Sequence, residues 1–127
     1  MENDPLFDKG LKIRKEMLGA DYVDASFKNA GEFALPFMRF VTAYAWGAIW
    51  GREGLPRKTR SLINLALLTA LGRPRELKTH IRGALNNGCT RDEIREVLMQ
   101  TAVYSGIPAG VEAFRAAREA FAELDRE

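Results

Sequence analysis

The chain holds one histidine, His80, and histidine is the side chain whose ordinary pKa lies closest to neutrality. At about 100° per residue on a helix, His80 falls beside a Leu77–Ile81–Ala84 stripe, on the border between core and solvent. Arg73 and Glu76, seven and four residues earlier, share its side of that helix. A half-buried histidine with a carboxylate one turn away is oriented for proton transfer. The same placement also suits a histidine that merely satisfies a hydrogen bond at the core edge, and the spacing leaves both readings open.

A second group is cationic: Arg52, Arg57, Lys58 and Arg60. The last three fall in the opening turns of a helix started by Pro56, where the macrodipole disfavours positive charge. Cations gathered at a helix start suit a small polyanion, because backbone N–H groups and side chains converge on it. A solvated helix end, with Glu53 as a counter-ion, fits equally well. Just upstream, Trp46 and Trp50 stand one helical turn apart. They are placed to wall a pocket for a flat ring or to pack a core or interface. Cys89, the one cysteine, follows Gly88 at a helix junction with no basic neighbour in sequence, which suits a small apolar filler better than a nucleophile. Gly51-Arg52-Glu53-Gly54 is not a phosphate loop, since it lacks the lysine and the preceding strand.

The elements that would position these residues are helices. Apolar residues recur at helical spacing and almost nowhere at strand spacing. Leu6, Gly10, Ile13 and Met17 mark one face of a first helix closed by Gly19; a short piece spans Tyr22 to Lys28. An aromatic stretch then runs from about Glu32 to Trp50, with Pro36 expected close to its start. Pro56 is expected as the first residue of a helix apolar nearly all round, which hints at burial against a second subunit. The helix from Pro74 to Asn87 ends at Gly88, and Thr90 with Glu93 is the signature of a capping box. A last helix carries Val111, Phe114, Ala117, Phe121 and Leu124. The expectation is an all-α protein of about six helices, forming one domain over residues 1–127.

Composition narrows the function. The 19 basic and 17 acidic residues are interspersed and leave a net charge of +2, so nothing calls for nucleic acid or an acidic membrane surface. A single cysteine excludes an intrachain disulfide, and one cysteine with one histidine leaves a metal site only carboxylates to draw on, so no metal is expected. The polar start, Met1-Glu2-Asn3-Asp4, does not read as a signal peptide, and no apolar run reaches the roughly 20 residues needed to span a bilayer. A cytoplasmic protein is expected.

Three runs together resemble the γ-carboxymuconolactone decarboxylase family. They are Ala45-Trp46-Gly47-Ala48-Ile49-Trp50 leading to Gly54-Leu55 and Thr59-Arg60-Ser61-Leu62; Glu76-Leu77-Lys78-Thr79-His80 through Gly88; and Glu93 through Leu98 followed by Val103-Tyr104-Ser105-Gly106-Ile107-Pro108-Ala109. The likeness extends back to Gly10, Arg14 and Leu18-Gly19, and so covers nearly the whole chain. The resemblance implies the all-helical fold of the wider alkylhydroperoxidase D-like superfamily, assembled into homo-oligomers (trimers or hexamers) with sites at or near subunit contacts. It implies decarboxylation of a small anionic lactone in aromatic degradation, without metal or cofactor. His80 and Arg60 would be the catalytic residues, and Arg52, Trp46, Trp50 and Glu76 would bind substrate. The superfamily's peroxidase branch has a Cys-x-x-Cys pair ahead of the histidine. Arg73 and Glu76 stand at those positions here, so disulfide exchange has no machinery. Many family members have Glu where this chain has Ala48, and proline is common where it has Glu53. The departure at Ala48 points to a different substrate or to loss of the catalytic step.

Overall fold

The computed structural model describes residues 4–127, and every described element is helical. Helix α1 spans Pro5–Leu18, α2 Ala20–Val41, a π-helix Thr42–Ile49, α3 Arg57–Ala70, α4 Pro74–Asn86, α5 Arg91–Ser105 and α6 Ile107–Asp125. The all-α expectation of about six helices holds. Contacts divide the chain into two units, one ending at Leu55 and one starting at Pro56.

In the first unit, Asp4 caps α1, its carboxylate accepting from the N–H groups of Leu6 and Phe7 at 3.1 and 3.2 Å. Gly10, Ile13, Arg14 and Met17 form the buried face. The short piece and the start of the aromatic stretch merge into α2, bent at Gly31, whose φ of +63° suits a residue with no Cβ. The helix resumes at Glu32, so Pro36 lies just beyond its first turn. From Thr42 the winding opens to i→i+5 bonding, as shown by the Trp50 N–H donating to the Ala45 carbonyl at 3.0 Å. The sequence could not announce this change. In Thr42-Ala43-Tyr44-Ala45-Trp46-Gly47-Ala48-Ile49 nearly every residue is apolar or small, so no periodicity separates the two windings.

What holds the widened helix is α1. A Cβ on Gly10 would collide with the Thr42 carbonyl oxygen and lie 2.7 Å from the Gly47 nitrogen; one on Gly47 would collide with the Leu6 carbonyl oxygen. The two backbones therefore touch directly, and Ile13, Met17, Trp46 and Trp50 fill the space beside the crossing. Gly10→Ala should destabilise this unit by about 1–3 kcal/mol, the usual cost of overpacking. Chemical denaturation followed by tryptophan fluorescence measures it, and an unchanged midpoint would contradict the contact.

The second unit packs α3 to α6 around Leu65, Leu77, Ile81, Ile94 and Leu98, each contributing about 1.5–3 kcal/mol by burial. The inner face of α6 consists of Ala113, Ala116, Ala117 and Ala120, which let it approach closely, while Val111 is exposed and Phe114 and Phe121 flank the core. Pro56 is the N-cap of α3, with ψ 152°, one residue outside the position expected for it. The capping box forms as expected: Thr90 Oγ1 accepts from the Glu93 N–H at 3.0 Å, and Glu93 accepts from the Thr90 N–H at 2.9 Å. Asn87 Nδ2 donates to the buried Ser61 Oγ at 2.9 Å, tying the end of α4 to α3.

Candidate active site

Helix α4 carries the histidine. Its N-terminal proline and the inward stripe of Leu77, Ile81 and Ala84 set the rotation of the helix, and that rotation leaves His80 half-buried at the rim, as the spacing predicts. Glu76, exposed, stands one turn before it on the same helix. Arg73 does not share that face. It is the N-cap of α4, and its Nη1 donates to the Leu71 carbonyl at 3.1 Å. The proline that starts the helix leaves Arg73 in non-helical backbone, and a helical-wheel count does not extend there.

The cationic group separates into different roles. Arg52 is exposed in the first unit; Arg57 and Lys58 are exposed at the start of α3, and Arg60 is half-buried. Lys58 is held by Glu93 on α5, with Nζ 3.0 Å from the carboxylate. The counter-ion is therefore thirty-five positions away in the chain, not the neighbouring Glu53. The Glu93 carboxyl is held below its ordinary range by the Thr90 N–H first and by Lys58 second. Cys89 is buried, its thiol directed to the Lys58 carbonyl at 3.7 Å. Burial, with Glu93 adding, pushes that thiol up, away from the thiolate a nucleophile needs.

Trp46 and Trp50 stack at 5.1 Å between ring centroids with 23° between planes. Both are buried in the core of the first unit against Ile13 and Met17. Ala48, half-buried, lies between them on the π-helix. The aromatic run that precedes them is mostly outside that core: Phe33, Phe37, Phe40 and Tyr44 are 99, 65, 58 and 60% exposed. In the second unit, α3 and α5 enclose a groove of about 530 Å³ lined mainly by apolar side chains, including Ile63, Ala66, Leu67, Val97 and Tyr104. None of the residues proposed for chemistry lines it. Among the described residues no three His, Cys, Asp or Glu side chains cluster as metal ligands.

Residues 36–119 match the model of the carboxymuconolactone decarboxylase family. The chain belongs to that family. Over 124 residues it is 42% identical to the 4-carboxymuconolactone decarboxylase of Acinetobacter baylyi, spanning 98% of this chain and 92% of that protein. It is 47% identical over 108 residues to the nitrosuccinic acid decarboxylase of Metarhizium robertsii, spanning 85% of this chain and 76% of the relative. A third relative, an uncharacterised 15.0 kDa protein of Paracoccus denitrificans, is 38% identical over 85 residues. The family assignment runs through both Trp46–Trp50 and His80, the segments that carry the resemblance in sequence.

The wheel count around His80 did not reach two buried polar residues of the first unit, Arg14 and Thr42, which the structure joins through a 3.1 Å hydrogen bond from Arg14 Nη1 to Thr42 Oγ1. A sequence signal for the first existed: an arginine at a register shared with Gly10, Ile13 and Met17 must be buried if they are.

The Glu93 arrangement has a pH consequence. Its folded pKa lies below the ordinary value of 4.5, so its stabilisation is present above that value and is lost as pH falls through the lowered one. Glu93→Gln should therefore lower the denaturation midpoint at neutral pH and flatten its decline in acid. Equal pH slopes for variant and wild type would contradict this.

Proposed function

We propose that this family member is a cofactor-independent carboxy-lyase acting on small dicarboxylates, with 4-carboxymuconolactone as the leading substrate and 3-oxoadipate enol-lactone and carbon dioxide as products. The observation that carries the reading is the 42% identity, over 98% of the chain, to a relative named for that reaction. The chemistry explains why the protein needs so little. The departing carboxylate sits on the carbon γ to an unsaturated lactone carbonyl, so loss of carbon dioxide sends its electron pair through the double bond into that carbonyl. The ring is its own electron sink. The protein must bind a dianion, stabilise the dienolate oxygen and deliver a proton to the α-carbon.

The residues take these roles one by one. Arg60 and Arg52 hold carboxylates. His80, half-buried on α4, donates the proton or hydrogen-bonds the enolate. Glu76 orients the histidine or the substrate from one turn away, and Trp46 with Trp50 forms a rigid apolar backing.

A second substrate has its own support, the 47% identity to a nitrosuccinic acid decarboxylase. The two compounds share a skeleton. In each, one carbon bears a carboxylate, an electron sink and a CH2–carboxylate arm; the sink is the unsaturated lactone in one and the nitro group in the other. Loss of the carboxylate on that carbon leaves a dienolate or a nitronate, and the carboxymethyl arm is retained. The substrate class is thus a 2-substituted succinate carrying an electron sink at C2. Ala48 leaves the π-helix without a carboxylate.

Incubation with each compound, following lactone absorbance or nitronate formation together with carbon dioxide release, tests the reading. Turnover without added cofactor is expected for at least one, and none for either would overturn it. His80→Gln should lower that turnover by orders of magnitude with the helical circular dichroism intact; unchanged turnover removes His80 from the mechanism.

The protein is further proposed to be a cytoplasmic homo-oligomer, a trimer or hexamer. No described helix is long and apolar enough to cross a membrane. The exposed row of Phe33, Phe37, Phe40 and Tyr44 and the apolar α3–α5 groove exceed what a solitary chain usually leaves to water. Light scattering should give three or six times the 14.2 kDa chain mass, and a monomer would contradict the proposal.

A further inference from the structure

The most deeply buried cation of the first unit has no counter-ion among the described residues. Arg14 on α1 is 8% exposed. Its Nη1 donates to Thr42 Oγ1 at 3.1 Å, and that hydroxyl in turn donates to the Met38 carbonyl at 2.7 Å. The guanidinium carbon lies 5.8 Å from the centre of the Phe27 ring. Nε is buried with no hydrogen-bond partner, and no carboxylate among the described residues forms an ion pair with the group. Burial lowers its pKa and the nearby Tyr22 phenol, on the exposed side of α2, raises it; arginine stays charged regardless.

This is an expensive arrangement. One bond to a neutral hydroxyl and an aromatic face recover only part of the desolvation cost, and an apolar side chain of similar volume would serve packing better. The geometry also leaves a particular edge unpartnered. Thr42 takes Nη1, while Nε and the adjacent Nη2 present two parallel N–H groups, the fork that matches a carboxylate. The Thr42 bond fixes the plane of that fork, and its dry surroundings strengthen any charge-assisted bond made there.

We infer that Arg14 is a carboxylate-binding residue, its Nε–Nη2 edge receiving one carboxyl group of a small dicarboxylate through a bidentate hydrogen bond. Identifying that group as the retained CH2–carboxylate of the substrate rests on the decarboxylase reading; the binding itself rests on the first unit alone. The role explains why an arginine occupies the register of a core residue. It adds to the cations already proposed one whose orientation is fixed in advance by its bond to Thr42.

Titrating the wild-type protein with sodium succinate, against sodium chloride at matched ionic strength, tests the inference through the arginine Nε–H resonances in ¹⁵N–¹H spectra. The Arg14 signal, assigned by its loss in Arg14→Lys or by its proximity to the Phe27 ring protons if that variant does not fold, should shift saturably with succinate and not with chloride. Arg14→Lys should bind succinate at least tenfold more weakly and raise KM for the decarboxylated substrate more than it lowers kcat. An Arg14 signal that responds to succinate no more than to chloride would overturn the inference. The two readings fail separately: succinate binding at Arg14 in a protein that decarboxylates nothing sinks only the activity, whereas full activity with an unresponsive Arg14 sinks only this assignment.

Discussion

The contact between α1 and the π-helix is made by backbone against backbone, and most of what distinguishes the first unit follows from it. Gly10 and Gly47 each stand where a Cβ would strike the opposite main chain. With the helices this close, Ile13 and Met17 reach the stacked Trp46 and Trp50, and Arg14 reaches Thr42. A helix with i→i+5 bonding is intrinsically less favourable than an α-helix and persists where tertiary contacts hold it. Here the glycine crossing, the tryptophan stack and the Arg14–Thr42–Met38 chain of hydrogen bonds all act on the same eight residues.

The second unit is organised by more ordinary means. Leucine, isoleucine and alanine side chains fill the space between four helices, and polar ties such as Asn87–Ser61 and Lys58–Glu93 join elements distant in sequence. His80 is a consequence of this packing. The residues on either side of it in the helical wheel are committed to the core, so the packing of the helix carries the imidazole to the rim. A group that transfers protons needs both a defined position and access to the reacting atom, and the rim of a well-packed helix supplies both.

Much of the chemistry proposed for this family member belongs to its substrate. When the departing carboxylate stands next to an electron sink, binding, charge stabilisation and one proton transfer are enough, and a small helical protein can provide these with arginines and a histidine. That economy suits a chain whose composition holds one histidine and one cysteine. It also makes charge placement the main variable, which is why the burial of Arg14 without an acidic partner among the described residues and the pairing of Lys58 with Glu93 carry different meanings.

The helices themselves were legible in the sequence, because caps, prolines, glycines and 3.6-residue periodicity are local signals. Gly19, Gly88 and the Thr90–Glu93 box mark boundaries that the structure keeps. The rim position of His80 was legible for the same reason. Local pattern stopped where the winding changed: an almost uniformly apolar segment carries no period, and the π-helix exists because α1 lies against it. It stopped again at the cations. Arg52, Arg57, Lys58 and Arg60 read alike as neighbours in sequence, and the counter-ion of Lys58 comes from another helix. Local sequence set most of the helix boundaries and the residue types available for chemistry. Which arginine loses its water without gaining a carboxylate was decided only by tertiary structure, since desolvation depends on everything that packs around a group and not on its neighbours in the chain.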